Sequence, residues 1–503
     1  MTPVSASILD VLSKLVVATE WIVLGYFLAV NTFYALLLLS ATLEMRRHLI
    51  IGWRRGLNRL LSSPVAPRVS VLAPAYGEEA TVVESTRALL TLSYPNLEVV
   101  IVNDGSPDAT LDVLEREFDL IPVHAIFRRR IASKPVRAIY RSRATPSLVV
   151  IDKENGGKAD ALNAGLNVCG GDLVCAIDAD TLIEPDALLR LVQPFLQRAD
   201  VVAAGGTIRL ANGSAVRGGR LLEPRVPRNA LAGAQTVEYL RAFLFGRLGW
   251  NRLGGNLIVS GAFGLFRRDA MIGVGGYVHE TVGEDMELVA DLRRHGLETG
   301  GPDRVEFVPD PVAWTEAPER VRVLARQRDR WQRGLADVMW RNRRLLFNPR
   351  YRTLGLVVYP YFLFVELLGP LVELAGLVGL AVAIALGAVD WPFAVLFFLV
   401  AYGYGLLLSG FTLFLEEASD RRYARIRDRF VLLAWTVLES IGYRQMTVIW
   451  RVKGMVNYLL GRQSWGAMTR RGFSPTTPAL PPPDDAASSG RTALSAPPPP
   501  RAP

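Results

Sequence analysis

Residues 173–181 read Leu-Val-Cys-Ala-Ile-Asp-Ala-Asp-Thr, a short apolar run that stops at two carboxylates. Its length and composition are those of a strand buried on both faces. Asp178 and Asp180 stand at its carboxyl end. Working outward, similar runs at 69–73, 98–102, 148–152 and 201–204 read as buried strands. Between them, 79–92, 108–118, 158–168 and 185–197 carry helical periodicity. Repeated strand–helix units from 68 to about 311 predict an α/β domain, a doubly wound and mostly parallel sheet covered on both faces. In such sheets ligands collect at the carboxyl ends of the strands, where Asp104 and Asp178 both fall. An Asp there also serves as a turn former or helix cap. Two at corresponding strand ends point to a shared site. The stretch 209–255 delays the next strand and contains a predicted helix near 235–245.

The chain is too apolar for an ordinary soluble protein: half of its 503 residues are hydrophobic, and mean hydropathy is +0.22. Its length suits one large domain plus membrane segments. Residues 21–43 carry no charge and are long enough to cross a bilayer. Trp21, Tyr26 and Tyr34 are placed for the interfaces, and Arg46, Arg47, Arg54 and Arg55 follow. A signal peptide fits poorly, because Asp10 and Glu20 precede the run and no small-x-small cleavage site follows it. Residues 354–389 are apolar except for Glu366 and Glu373 and are broken by Pro360 and Pro370, giving a kinked lead-in and a crossing at about 371–389. Residues 391–415 cross back. Residues 430–450 hold Glu439 and Arg444 near their middle and read as a re-entrant or interfacial helix. Three crossings and a cytosolic C-terminus result.

The net charge of +9 is concentrated in arginines at 46–55, 320–344, 421–429 and 470–471, all beside apolar segments. That placement predicts contact with anionic lipid and a cytosolic setting. No nucleic-acid-binding motif accompanies it. The two cysteines, Cys169 and Cys175, have no second pair and only four histidines in the chain to join them. They read as small buried thiols in a reducing compartment. The tail from Phe473 is dominated by Pro, Ala and Ser and cannot bury a core.

Residues 318–340 form an amphipathic pattern that opens with Pro318. Val321, Leu324, Trp331, Leu335 and Val338 recur at helical spacing, with Arg320, Arg322, Arg326, Arg328, Arg330 and Arg333 among them. This predicts a helix in the membrane interface with snorkelling arginines. Within it, Gln327, Arg330 and Trp331 share one face. Trp331 can stack on a sugar, Gln327 can hydrogen-bond hydroxyls, and Arg330 can pair with a diphosphate.

Asp178 and Asp180 are hard oxygen ligands suited to Mg²⁺ or Mn²⁺ held partly by a diphosphate; Asp180 also reads as a helix cap ahead of Pro185. Asp285 opens a predicted helix, 285–295. A carboxylate at a helix N-terminus stays ionised, as a general base must, and an N-capping Asp looks the same locally. Lys158, at another predicted helix start, is mildly unfavourable there, which hints at function. In the loop 73–78, Tyr76 can cover a pyrimidine ring while Glu78 and Asp104 accept hydrogen bonds from base and ribose.

Taken in order, Asp104 in Val-Asn-Asp-Gly-Ser, the pair Asp178 and Asp180, Asp285 in Gly-Glu-Asp, and Gln327-x-x-Arg330-Trp331 resemble the processive family 2 glycosyltransferases. That family includes cellulose, hyaluronan and poly-N-acetylglucosamine synthases. The resemblance covers about 68–471. It implies a GT-A domain with Asp285 as base. Tyr76, Glu78 and Asp104 would bind the uridine half of the donor, and Lys158 a phosphate or sugar. The helix of Trp331 would hold the growing chain at the mouth of a membrane channel. Asn103 replaces an acidic residue common in relatives. Gly283 stands where some have Thr, which leaves the backbone there less constrained. Ser464-Trp465-Gly466 with Arg470 loosely resembles the gating segment of hyaluronan-type synthases.

The expected organisation is an N-terminal transmembrane helix and basic flank (1–55), a cytosolic transferase domain (56–317), the helix with the Gln327 motif (318–350), C-terminal membrane helices (351–472) and a Pro-rich tail (473–503). The expected function is inverting polymerisation of a sugar from a UDP-sugar into a β-linked polysaccharide, extruded across the inner membrane. Its partners would be the donor, the growing chain, the bilayer and subunits of a secretion complex. Rival readings are a single transfer to a lipid acceptor and a catalytically silent scaffold.

Overall fold

The computed structural model describes residues 3–51, 66–124, 127–178, 181–217, 219–387, 389–419, 423 and 425–462. Asp180, Arg54, Arg55, Arg421, Arg422, the 464–470 segment, Arg471 and the tail from Phe473 lie outside the described residues.

The strands are β1 (Val69–Ala75), β2 (Leu97–Asn103), β3 (Leu120–Pro122), β4 (Val136–Ser142), β5 (Leu148–Lys153), β6 (Leu173–Ile177), β7 (Leu182–Ile183), β8 (Val201–Leu210), β9 (Ala215–Arg217), β10 (Arg220–Glu223), β11 (Phe263–Arg267) and β12 (Arg304–Thr315). Ten of them form one sheet in the order β3-β4-β5-β2-β1-β6-β11-β8-β12-β7. The parallel block is β5-β2-β1-β6, the strands legible as continuous apolar runs. Alternate residues point to opposite cores. Val71, Val99 and Cys175 enter one, while Leu72, Val100 and Val174 enter the other with Leu162 and Leu166 of the helix Lys158–Val168. Cys169 and Cys175 are free, buried and in opposite cores.

Beyond that block the sheet is mixed. β4 runs antiparallel to β5, and β11 runs antiparallel to both β6 and β8. β11 is reached through a long helical excursion rather than a βαβ crossover, so the rule keeping neighbours parallel does not apply. That excursion is the helix Ala230–Leu240, capped by the Asn229 side chain, then a wide π turn Arg241–Arg247 and the helix Leu248–Leu253. The predicted helix at 185–197 divides at Val192 into Ala187–Leu191 and Gln193–Gln197, where Pro194 supplies no N–H to continue it.

Among the described residues, three helices are long and apolar enough to cross a membrane: Val17–Ile50, Leu354–Ala385 and Trp391–Phe414. The second starts well before the predicted crossing. It keeps helical continuity past Pro360 through π turns at Leu354–Val358 and Phe362–Leu367. Residues 430–450 do not form one rod. The helices Ile426–Leu438 and Arg444–Leu459 meet at a break where Gly442 has φ +82°.

The helix Val321–Arg341 corrects the expectation of arginines turned uniformly to headgroups. It packs on the Arg444–Leu459 and Glu284–Thr299 helices, so part of its basic surface is covered by protein. Arg328 is buried and pairs with Glu238 at 2.7 Å, and Arg333 pairs with Asp329 at 2.9 Å. A buried guanidinium needs such a partner. Arg320, Arg322 and Arg326 remain exposed.

Candidate active site

Strand register brings the first groups together. Ala75 pairs with Asn103, and Asn103 with Asp152, so β1, β2 and β5 end level. Leu72 pairs with Ala176, which places Asp178 beside the same edge. Gly157, at φ +86°, turns the chain into the helix that begins with Lys158; a side chain is strained in that conformation. Lys158 Nζ then lies 2.6 Å from Asp178 Oδ1 and 3.9 Å from Glu284 Oε1. Burial works against the ammonium charge. The carboxylates of Asp178, Glu284 and Asp285 outweigh it, and the pKa ends above its ordinary value. They also offset the cost of a cation at a helix N-terminus.

Asp285 lies in the first turn of Glu284–Thr299. Its Oδ2 accepts the Gly261 N–H at 3.1 Å and its Oδ1 accepts the Met286 N–H at 2.8 Å. Sequence reasoning passed over Glu284, which is buried at 6% exposure. Burial pushes its carboxyl up to about 7 despite Lys158, with Asp285 and Asp178 adding to the rise. Its signal was an acidic side chain immediately before the candidate base.

The Gln327 helix is tied to the base by its backbone. A methyl group on Gly283 would stand 3.1 Å from Gly334 Cα, which corrects the expectation of a loosely constrained chain at Gly283. Gln327 is buried, and its Oε1 has no partner among the described residues. Trp331 is 43% exposed, with the Arg328 guanidinium 4.5 Å from its ring centroid.

Tyr76, Glu78 and Asp104 occupy the neighbouring corner. Tyr76 is exposed. Glu78 donates its N–H to Thr110 Oγ1 at 2.9 Å and accepts the Thr81 hydroxyl at 2.5 Å, which fixes the loop. Asp104 turns inward: it is buried, and its carboxylate accepts Lys153 Nζ at 2.5 Å and the N–H groups of Gly156 and Gly157 at 3.0 and 2.7 Å. It therefore shapes the turn that presents Lys158. Lys153, which sequence reasoning missed, is fully buried and also pairs with Asp160 at 2.6 Å. A lysine ending an apolar strand was the available signal. Asn103 donates to Asp152 Oδ1 at 2.8 Å.

Lys158, Asp178, Asp285, Gln327, Arg330 and Trp331 all line one cavity of about 2050 Å³. It continues past Arg241, Glu439 and Arg444 to Tyr26 and Tyr34 of the first membrane helix. Among the described residues no three His, Cys, Asp or Glu side chains are grouped to hold an ion. An ion sharing a diphosphate needs only one or two carboxylates, and Asp178 at the strand end fits that requirement.

This arrangement of mixed sheet, strand-end carboxylate and helix-borne acid defines a GT-A-type transferase domain with appended membrane helices. The fold matches a mannosyltransferase from Pyrobaculum calidifontis, solved with GDP-Man and Mn²⁺, at TM-score 0.50 and 20% identity, covering 85% of this chain and 99% of that one. Residues 70–274 match glycosyl transferase family 2 and residues 173–408 match glycosyl transferase family group 2. Residues 70–408 are thus similar to the family 2 glycosyltransferases. The chain is similar to the poly-beta-1,6-N-acetyl-D-glucosamine synthase of Staphylococcus epidermidis, 27% identical over 58% of this chain and 59% of the relative. The Staphylococcus aureus protein of the same name is 26% identical over 54% of this chain and 56% of its own length. The match thus spans a little over half the length of these curated relatives.

Proposed function

We propose that this chain transfers a sugar from a UDP-sugar, with inversion, to the end of a growing β-linked polysaccharide, and that the product leaves between the membrane helices. The observation that carries this reading is the single cavity. It holds the strand-end pair Lys158–Asp178, the helix-borne Asp285 and the Gln327–Trp331 face, and it runs on between membrane helices. Asp285 takes the proton of the acceptor hydroxyl as that oxygen bonds to the anomeric carbon. The bond to the diphosphate breaks in the same step, and UDP leaves with its charge met by Arg330 and Lys158. Mg²⁺ or Mn²⁺ held by Asp180, Asp178 and the diphosphate would supply further charge neutralisation. The sugar-facing catalytic domain is cytosolic, on the side that the exposed arginines of the Gln327 helix favour.

The test is turnover by the purified full chain with a panel of UDP-sugars, N-acetylglucosamine first, with sizing of the products. UDP release with long polymer is the expected result. A single sugar on a lipid acceptor would replace polymerisation with single transfer. No UDP release from any donor would refute the transferase reading.

A further inference from the structure

Several arginines line the cavity, and the best defined of them are neutralised where they stand. Arg241 pairs with Glu439, Arg328 with Glu238, Arg444 with Glu373 and Arg451 with Glu366. Arg247 differs. Its Nη1 is shut off from solvent, yet no acceptor among the described residues reaches it. The guanidinium lies over the Phe243 ring, 3.9 Å from the centroid, and the side chain lines the cavity. Burial lowers its pKa to about 10, with Asp285 and Tyr239 pulling the other way, so it remains a cation at neutral pH. It also ends the π turn Arg241–Arg247, and single wide turns of this kind recur at functional sites. An unmet buried donor is destabilising. On a side chain that lines the cavity, the unmet donor points to a ligand oxygen as its partner.

The position favours one ligand over another. Phe245, two residues earlier, packs on Tyr34 of the first membrane helix, with ring centroids 5.8 Å apart. Arg247 stands on the other side of the π turn, over Phe243 and near enough to Asp285 to feel its charge, whereas Lys158 and Asp178 stand at the strand ends. A guanidinium backed by an aromatic ring offers donors and an apolar face together, the two surfaces a pyranose presents. We infer that Arg247 binds an oxygen of the acceptor sugar and so holds its hydroxyl beside Asp285. The inference rests on the transferase reading above.

The experiment compares the full-length wild type with Arg247→Met and Arg247→Lys. It measures affinity for UDP with Mn²⁺, affinity for a soluble β-linked N-acetylglucosamine oligosaccharide, and Tm. Arg247→Met should weaken oligosaccharide binding roughly 10- to 100-fold, the scale of one hydrogen bond from a charged group. UDP affinity should hold, and Tm should stay level, because the methionine side chain can keep a contact with the Phe243 ring and no ion pair is broken. Arg247→Lys should recover part of the affinity. Unchanged oligosaccharide affinity in Arg247→Met would overturn the inference. So would a loss confined to UDP, which would move Arg247 to the donor diphosphate, or a fall in Tm with both affinities, which would make it structural. A wild type that binds UDP but no oligosaccharide would also overturn it. A wild type that binds no UDP would instead refute the transferase reading beneath it.

Discussion

Gly283 and Gly334 meet backbone to backbone: a methyl group on Gly334 would lie 3.0 Å from Gly283 Cα, and one on Gly283 would lie 3.1 Å from the Gly334 carbonyl oxygen. Two residues after Gly283 comes the candidate base Asp285, and Gly334 is one turn beyond Trp331 on the helix expected to hold the acceptor. The contact fixes the distance between these two parts of the site. Gly334→Ala should push them apart by a few tenths of an ångström. Transfer should then fall by about 10² or less, in line with the cost of small misplacements, while UDP affinity stays near wild type. Steady-state rates and UDP titration check this, and an unchanged rate would show that the contact does not set the geometry.

Trp331→Ala removes the stacking surface on the acceptor side and leaves Lys158, Asp178 and Asp285 in place. Short products or bare UDP-sugar hydrolysis should persist while long polymer disappears. Product sizing checks it; full-length chains would make Trp331 an interfacial anchor instead.

Glu287 gives a pH-dependent prediction for stability. Its carboxylate accepts Asn342 Nδ2 at 3.0 Å, but burial, helped by Asp291, pushes its pKa up to about 7. The folded state therefore binds this proton more tightly than the unfolded chain. The stability it contributes is full below about pH 4.5 and is lost as pH rises through about 7. Glu287→Gln keeps a hydrogen-bonding partner without the charge. It should raise Tm at pH 8 and leave it unchanged near pH 5, as thermal unfolding at both pH values will show.

The parallel core of the sheet was legible because its strands are buried on both faces and read as unbroken apolar runs. β4, β11 and β12 were not. β4 alternates apolar residues with Arg137 and Arg141, as an outer strand does. β11 and β12 follow an excursion whose path depends on packing against the first membrane helix. The same contrast holds in the site. Asp178, Lys158, Asp285 and the Gln327 face announced themselves by position on single elements. The inward turn of Asp104 depends on Lys153 and the Gly156–Gly157 amides arriving from another strand. Gly283 read as a loosened position because its neighbour Gly334 lies some fifty residues away in the chain. Local pattern carries no record of such a partner.

Asp180 lies next to the strand-end pair in sequence and is the proposed carrier of the divalent ion. Asp180→Ala should abolish transfer. A chelator should do the same to the intact enzyme, with Mg²⁺ or Mn²⁺ restoring it. Full activity in excess chelator would remove the ion from the account.

The most direct test of the central claim is the rate of UDP release by Asp285→Asn, measured with donor affinity on the same preparation. The substitution is nearly isosteric and can still accept the Gly261 N–H, but it removes the proton acceptor. The account predicts donor affinity close to wild type and transfer reduced by roughly 10² or more, the usual scale for loss of a general base. Polymerisation by Asp285→Asn at a rate near wild type would contradict it and place the base elsewhere.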